Sequence, residues 1–192
     1  MILYYGYDND LVKMRNSETE GKWLREFKLF LLSLVLSIFL LLLIVSTIAQ
    51  AYRVEGKSMQ PALQNNERVI VSKIIYKIKE IKRFDIVIFK YPLKPNKLFI
   101  KRVIGLPGEE ISIENGDVYI NNKKLEEPYL EKNFKSHEDL PQILIPQNYY
   151  YVLGDHRNWS NDSRAGWLVP RKNIIGKVVF RYWPLKRIGV IK

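Results

Sequence analysis

Along its hydrophobic pattern this chain changes period once. Residues 29–50 read LFLLSLVLSIFLLLLIVSTIAQ, 22 residues without a charge. At 1.5 Å per residue a helix of that length spans about 33 Å, enough to cross the hydrocarbon core of a bilayer. Beyond residue 51 the apolar positions come instead in short β-branched runs separated by turn residues. Residues 68–72, 85–89, 98–104, 110–113, 117–120, 149–153 and 176–182 each predict a strand. Asn115-Gly116 between two of these runs is a strong type I′ hairpin signal, and Asn121-Asn122 predicts the next turn. The prolines at 92, 95, 107, 128, 141, 146, 170 and 184 fall between runs or at their ends, where they remove no ladder hydrogen bond. The expected fold is mainly β: an antiparallel, hairpin-rich domain over residues 51–192, following a single N-terminal transmembrane helix at 29–50. Residues 126–147 are polar and weakly patterned and are expected as a surface excursion. Residues 1–28 are expected as a short cytoplasmic tail.

A cleaved signal peptide is the competing reading of the apolar stretch. Its apolar region would be about 7–15 residues, shorter than this one. Ala49-Gln50-Ala51 nevertheless has the small-x-small pattern of a cleavage site, so its processing stays open. Lys13, Arg15, Lys22, Arg25 and Lys28 precede the span, and Arg53, Lys57 and Arg68 follow it. Five against three puts the N-terminus inside and the domain on the trans side.

Charge adds a second constraint. The net charge is +11, and all of it arises after residue 50, where 26 basic residues face 15 acidic ones. A domain held at a bilayer meets anionic headgroups, so lipid is the expected partner of this basic surface and nucleic acid is not. There is no cysteine and only two histidines, His137 and His156, so disulfides, thiolate sites and a dedicated zinc site are not expected. No cofactor is called for.

The chemistry sits in two runs. Ser58 lies in Gly56-Lys57-Ser58-Met59-Gln60-Pro61-Ala62-Leu63, and Lys101 follows 43 residues later in Lys101-Arg102-Val103-Ile104-Gly105-Leu106-Pro107-Gly108-Glu109. Alone, each has an ordinary explanation: a solvated hydroxyl, and a snorkelling lysine at a sheet edge. Together they suggest a nucleophile and its base, because a lysine can take a serine's proton only if its ammonium is destabilised. Strand alternation puts Phe99, Lys101 and Val103 on one face, which argues for burial of the lysine. Lowering a lysine from about 10.4 to about 7–8 costs the fold about 3–5 kcal/mol, a cost that a purely structural residue would not justify. Arg102 cannot substitute, since guanidinium keeps its proton.

With Gly154-Asp155-His156-Arg157-Asn158-Trp159-Ser160-Asn161-Asp162-Ser163-Arg164 added, the chain resembles the type I signal (leader) peptidases. GxSMxP, KRVIGLPGE and GDxRxxSxDSR carry the resemblance over most of residues 50–185. It implies that Ser58 and Lys101 are catalytic and that Ser160 orients the Lys101 amine. Gly154, Asp155, Asp162, Ser163 and Arg164 would build the supporting loop and its ion pairs, and Met59, Leu63, Phe99 and Ile100 would line pockets for the residues before the cut. The chain departs from the family pattern at His156, where asparagine is typical, at Gly56, where some members carry a hydroxyl, and at Ala62, where threonine is frequent. His156 also raises a Ser–His–Asp alternative. Lys101 is preferred to it because it has both the apolar face and the matching motif.

The reading is a membrane-bound endopeptidase that removes signal peptides from precursor proteins after small-x-small sequences. A bacterial plasma membrane is preferred to a thylakoid or other organellar one. Two rivals stand beside it. One is a self-cleaving Ser/Lys regulator, a class that is soluble. The other is a non-enzymatic, membrane-anchored basic β-domain that binds lipid or a partner.

Overall fold

The computed structural model describes residues 9–191 and divides into two units, Met1–Ser46 and Thr47–Lys192. Helix α1 runs Asn9–Ile48 and makes up the described part of the first unit. Within it Lys22–Leu43 is long and apolar enough to cross a membrane by length and composition. Two serines in this span answer their own polarity. Ser33 Oγ donates to the Phe30 carbonyl at 2.8 Å, and Ser37 Oγ to the Ser33 carbonyl at 2.7 Å.

Both ends of α1 differ from expectation. Residues 9–28, expected as a tail, are helical, in keeping with the Leu, Lys, Arg, Glu and Met that fill them. Residues 1–8 of that tail lie outside the described residues. At the other end the helix stops at Ile48, and Ala49-Gln50-Ala51 belongs to strand β1 (Ala49–Arg53). Pairing from Ala49↔Ser72 to Arg53↔Arg68 decides the conformation there, over the continuity of the apolar run.

The second unit is built from β1, β2 (Arg68–Ser72), β3 (Ile86–Lys90), β4 (Leu98–Gly105), β5 (Glu110–Glu114), β6 (Asp117–Ile120), β7 (Lys123–Lys124), β8 (Leu140–Leu144), β9 (Tyr149–Leu153), β10 (Val169–Pro170), β11 (Ile174–Trp183) and β12 (Gly189–Val190). Among the described residues every pairing between them is antiparallel. The larger sheet has the order β1-β2-β11-β3-β4-β9-β10, with β12 on β11. The smaller one runs β7-β6-β5-β8. The hairpin turns follow their sequence signals: Asn115 and Gly116 have φ of 51° and 78°, and Asn121 and Asn122 of 49° and 62°, the left-handed pair of a type I′ turn.

The core lies in three clusters. Val54, Met59, Leu63, Val69, Val71, Ile86 and Ile88 pack beneath the Ser58 segment. Val87, Phe89, Val103, Val152 and Trp167 fill the opposite side of the large sheet. Ile104, Ile111, Val118, Ile145 and Leu153 join the two sheets.

Residues 126–147 are not a plain excursion. They include β8, paired with β5 through Glu110↔Leu144 and Ile111↔Ile143, and Ile145 beyond it is fully buried. Pro141 and Gln142 mask the alternation in the sequence. The proline is tolerated because β8 is an edge strand.

Candidate active site

Residues 54–63 present Ser58 by folding around buried anchors. The Val54 N–H donates to the Glu67 carbonyl at 2.8 Å, and the Gly56 N–H to Asn65 Oδ1 at 2.9 Å. Gly56 has φ +91°, a conformation that a side chain would strain. The Gln60 N–H then reaches the Lys57 carbonyl at 3.1 Å and the Leu63 N–H the Met59 carbonyl at 2.7 Å, closing a tight turn. Met59 and Leu63 point into the core, which leaves Ser58 partly exposed at the surface of that turn. Among the described residues the Ser58 N–H donates to no backbone carbonyl.

β4 supplies the lysine. Its Nζ donates to Ser58 Oγ at 2.7 Å and to the Ile100 carbonyl at 3.1 Å, and it sits 5.3 Å from the centre of the Phe99 ring on the same face. Lys101 is only 4% exposed. Burial pulls its pKa down to about 8; the carboxylates of Asp162 and Asp155 oppose the shift, and Arg164 adds to it.

Arg102, on the other face, is 2% exposed and forks onto Asp155, itself 1% exposed: Nε to Oδ1 at 2.8 Å and Nη2 to Oδ2 at 2.7 Å. This buried pair fastens β4 to the loop after β9. The rest of that loop is held by its own charges. Asp162 accepts from the Gly154 N–H at 3.0 Å and from Arg164 Nε at 2.8 Å. Arg164 continues to Glu138 at 3.0 Å and Ser136 at 3.1 Å, and Arg157 pairs with Glu127. Residues 126–147 thus brace the loop. The buried Ser163 Oγ accepts from the Val152 N–H at 3.0 Å. The loop grips the nucleophile segment through its backbone: the His156 N–H donates to the Ser58 carbonyl at 3.0 Å.

Not every expected residue falls where it was expected. The Ser160 hydroxyl makes no bond to Lys101. Its Oγ is buried without a hydrogen-bond partner among the described residues, packed against Gly154. Leu63 is fully buried in the core and does not line the cavity at the site. The His156 ring lies against Phe134 and Trp159 at 4.4 and 6.4 Å between ring centres, while Ser58 Oγ is engaged by Lys101. Asp155 is committed to Arg102, so a Ser–His–Asp relay has no carboxylate there.

Ser58 and Lys101 lie at a cavity of about 670 Å³. One wall is Tyr52–Gly56 and the other 97–101, with Met59, Ile88 and Asn161 completing the lining. β3 pairs with residues 98–102 of β4, but β9 begins its pairing only at Arg102, so among the described residues no strand covers the opposite edge of residues 98–101. The Tyr52–Gly56 wall, Ile88, Asn161 and the Arg102–Asp155 fork were not read from the sequence. An arginine adjoining a buried strand lysine is the one local signal that a buried acid must lie nearby.

Comparison with known proteins identifies the family. The sequence model of the family described as "Signal peptidase, peptidase S26" matches residues 26–183. A "Probable signal peptidase I-2" of Synechocystis sp. is 37% identical over 184 residues, covering 93% of this chain and 82% of that one. "Signal peptidase IB" of Staphylococcus aureus strain Mu50 is 36% identical over 176 residues, covering 83% and 91%. A crystal structure of a signal peptidase I from Enterococcus faecalis V583 aligns with TM-score 0.47 and 32% identity over 53% of this chain and 98% of that one. With the apolar helix of residues 22–43, this makes the protein membrane-anchored. The chain belongs to the signal peptidase I family of serine endopeptidases.

Proposed function

We propose that this protein removes signal peptides from exported precursors by Ser58/Lys101 catalysis. A single observation carries the reading: a nearly buried lysine whose Nζ lies 2.7 Å from a serine Oγ, beside an open strand edge. The precursor binds extended, adding to the free edge of residues 98–101 between the two cavity walls. Met59, Phe99 and Ile100 bound the space for its side chains, and small residues at the first and third positions before the cut fit the family's specificity.

Neutral Lys101 takes the Ser58 proton as Oγ attacks the carbonyl carbon before the scissile bond. The Ser58 N–H donates to the oxyanion. The resulting ammonium returns the proton to the leaving amine, and an ester on Ser58 remains. Lys101, neutral again, deprotonates the water that hydrolyses this ester. Ser160 is proposed as a positioning residue for the Lys101 amine, a role that rests on the family resemblance and on its buried, unpartnered hydroxyl. The five-to-three excess of basic residues before the span supports an N-terminus in the cytoplasm and a domain outside, where its basic surface meets anionic lipid; the membrane proposed is a bacterial plasma membrane.

The test is processing of a signal-peptide-bearing precursor by the detergent-solubilised full chain. Wild type releases a mature product whose N-terminus follows a small-x-small sequence, and Ser58→Ala releases none. Equal processing by both would assign the activity elsewhere.

A further inference from the structure

Cleavage needs the chain on both sides of the scissile bond, yet the cavity walls account for only one side. Tyr52–Gly56 and 97–101 line the approach to Ser58 and Lys101, and of the loop 154–164 only Asn161 reaches the lining. That loop is tied to the Ser58 carbonyl through the His156 N–H. Trp159 stands there 68% exposed, with its ring 5.7 Å from Lys57 Nζ, the side chain immediately before the nucleophile. Lys57 is exposed and has no salt-bridge partner among the described residues. An exposed indole carrying an unneutralised ammonium is unspent binding capacity: a flat apolar surface beside a positive charge. Nothing in the dyad, the loop's ion pairs or the core uses it.

We propose that Lys57 and Trp159 form a subsite for the first residues after the cut, and that it favours an acidic side chain there. This inference rests on the peptidase reading and adds a preference on the product side of the bond. The Trp159 ring supports the leaving segment. It also holds the Lys57 ammonium in place, so a carboxylate one or two residues past the scissile bond meets a charge already positioned. A basic residue at the same place meets repulsion. Because both groups are exposed, the effect is modest and salt-sensitive.

The test uses the full chain in detergent and peptides sharing one small-x-small cleavage sequence, with Asp, Asn or Lys at the second residue after the cut. Within each protein the readout is the ratio of kcat/KM for the Asp and Lys peptides, so a general loss of activity cancels. Wild type is expected to prefer Asp about 3- to 10-fold at low salt, an advantage that fades toward unity near 1 M salt, where the screening length is about 3 Å. Lys57→Gln should bring the ratio to within about twofold of one, and Lys57→Glu should invert it. The same Asp preference in wild type and Lys57→Glu would overturn the subsite while leaving the peptidase reading intact. If Trp159→Ala kept every peptide ratio and KM in detergent but lost activity in lipid vesicles, Trp159 would be a lipid anchor and the proposal would fall. Absence of cleavage by wild type, or equal cleavage by Ser58→Ala, would remove the parent reading and the subsite with it.

Discussion

Lys101 has to satisfy two opposing demands, and its titration expresses the conflict. Folded, it titrates at about 8; unfolded, it returns toward the ordinary 10.5. Below about pH 8 both states are protonated, and the fold bears the whole cost of a buried ammonium. Between the two values the unfolded chain binds more protons than the folded one, so stability rises with pH. At 1.36 kcal/mol per pKa unit the difference amounts to about 3 kcal/mol. Lys101→Met should therefore stabilise the protein at about pH 7 by up to that amount, and the gain should shrink as pH rises from 8 toward 10.5. Thermal or urea unfolding at several pH values measures it. A gain that does not vary with pH would mean that the lysine titrates alike in the folded and unfolded chain, and so is better solvated than its 4% exposure indicates.

At the scale of elements, the site depends on how closely the loop after β9 approaches the turn after β1. Gly154 sets that distance. A Cβ built there would lie 2.5 Å from the Ser58 carbonyl oxygen and 2.2 Å from Ser160 Oγ, and the backbone oxygen cannot swing away. Gly154→Ala should displace Ser58 from Lys101 and lower kcat/KM by about 10²-fold or more, the cost of a misplacement near 1 Å. Steady-state kinetics beside circular dichroism would show it, and an alanine variant of wild-type activity would refute the close approach. The elements that deliver these parts differed in how legible they were. β2–β6, β9 and β11 announced themselves through β-branched runs, and the Asn-Gly and Asn-Asn turns through their left-handed requirement. β1 was hidden because Ala49-Gln50-Ala51 continues an apolar run, and only pairing with β2 makes it a strand. β8 was hidden by Pro141 and Gln142. The dyad was legible as a motif with a strand face. The Arg102–Asp155 fork and the Glu127 and Glu138 braces were not, since each joins residues at least 26 positions apart with no local pattern linking them.

For the molecule as a whole, the apolar helix and the β-rich unit with its basic excess divide the work between them. On the proposed function, the helix confines the enzyme to the membrane, and the β-rich unit carries the open strand edge and the Ser58–Lys101 pair that the proposal uses. Every later step of the chemistry depends on Lys101 being the group that deprotonates Ser58. Acid-quenched single turnovers with an activated ester substrate, followed by mass mapping of the acylated residue in wild type and in folded Lys101→Arg, test this directly. Acyl groups are expected on Ser58 of wild type, formed at a rate that rises through a pKa near 8, and essentially none in Lys101→Arg, whose guanidinium keeps its proton. Acylation of Ser58 in Lys101→Arg at a comparable rate, or an acyl group found on Ser160 instead, would contradict the assignment of Lys101 as the base.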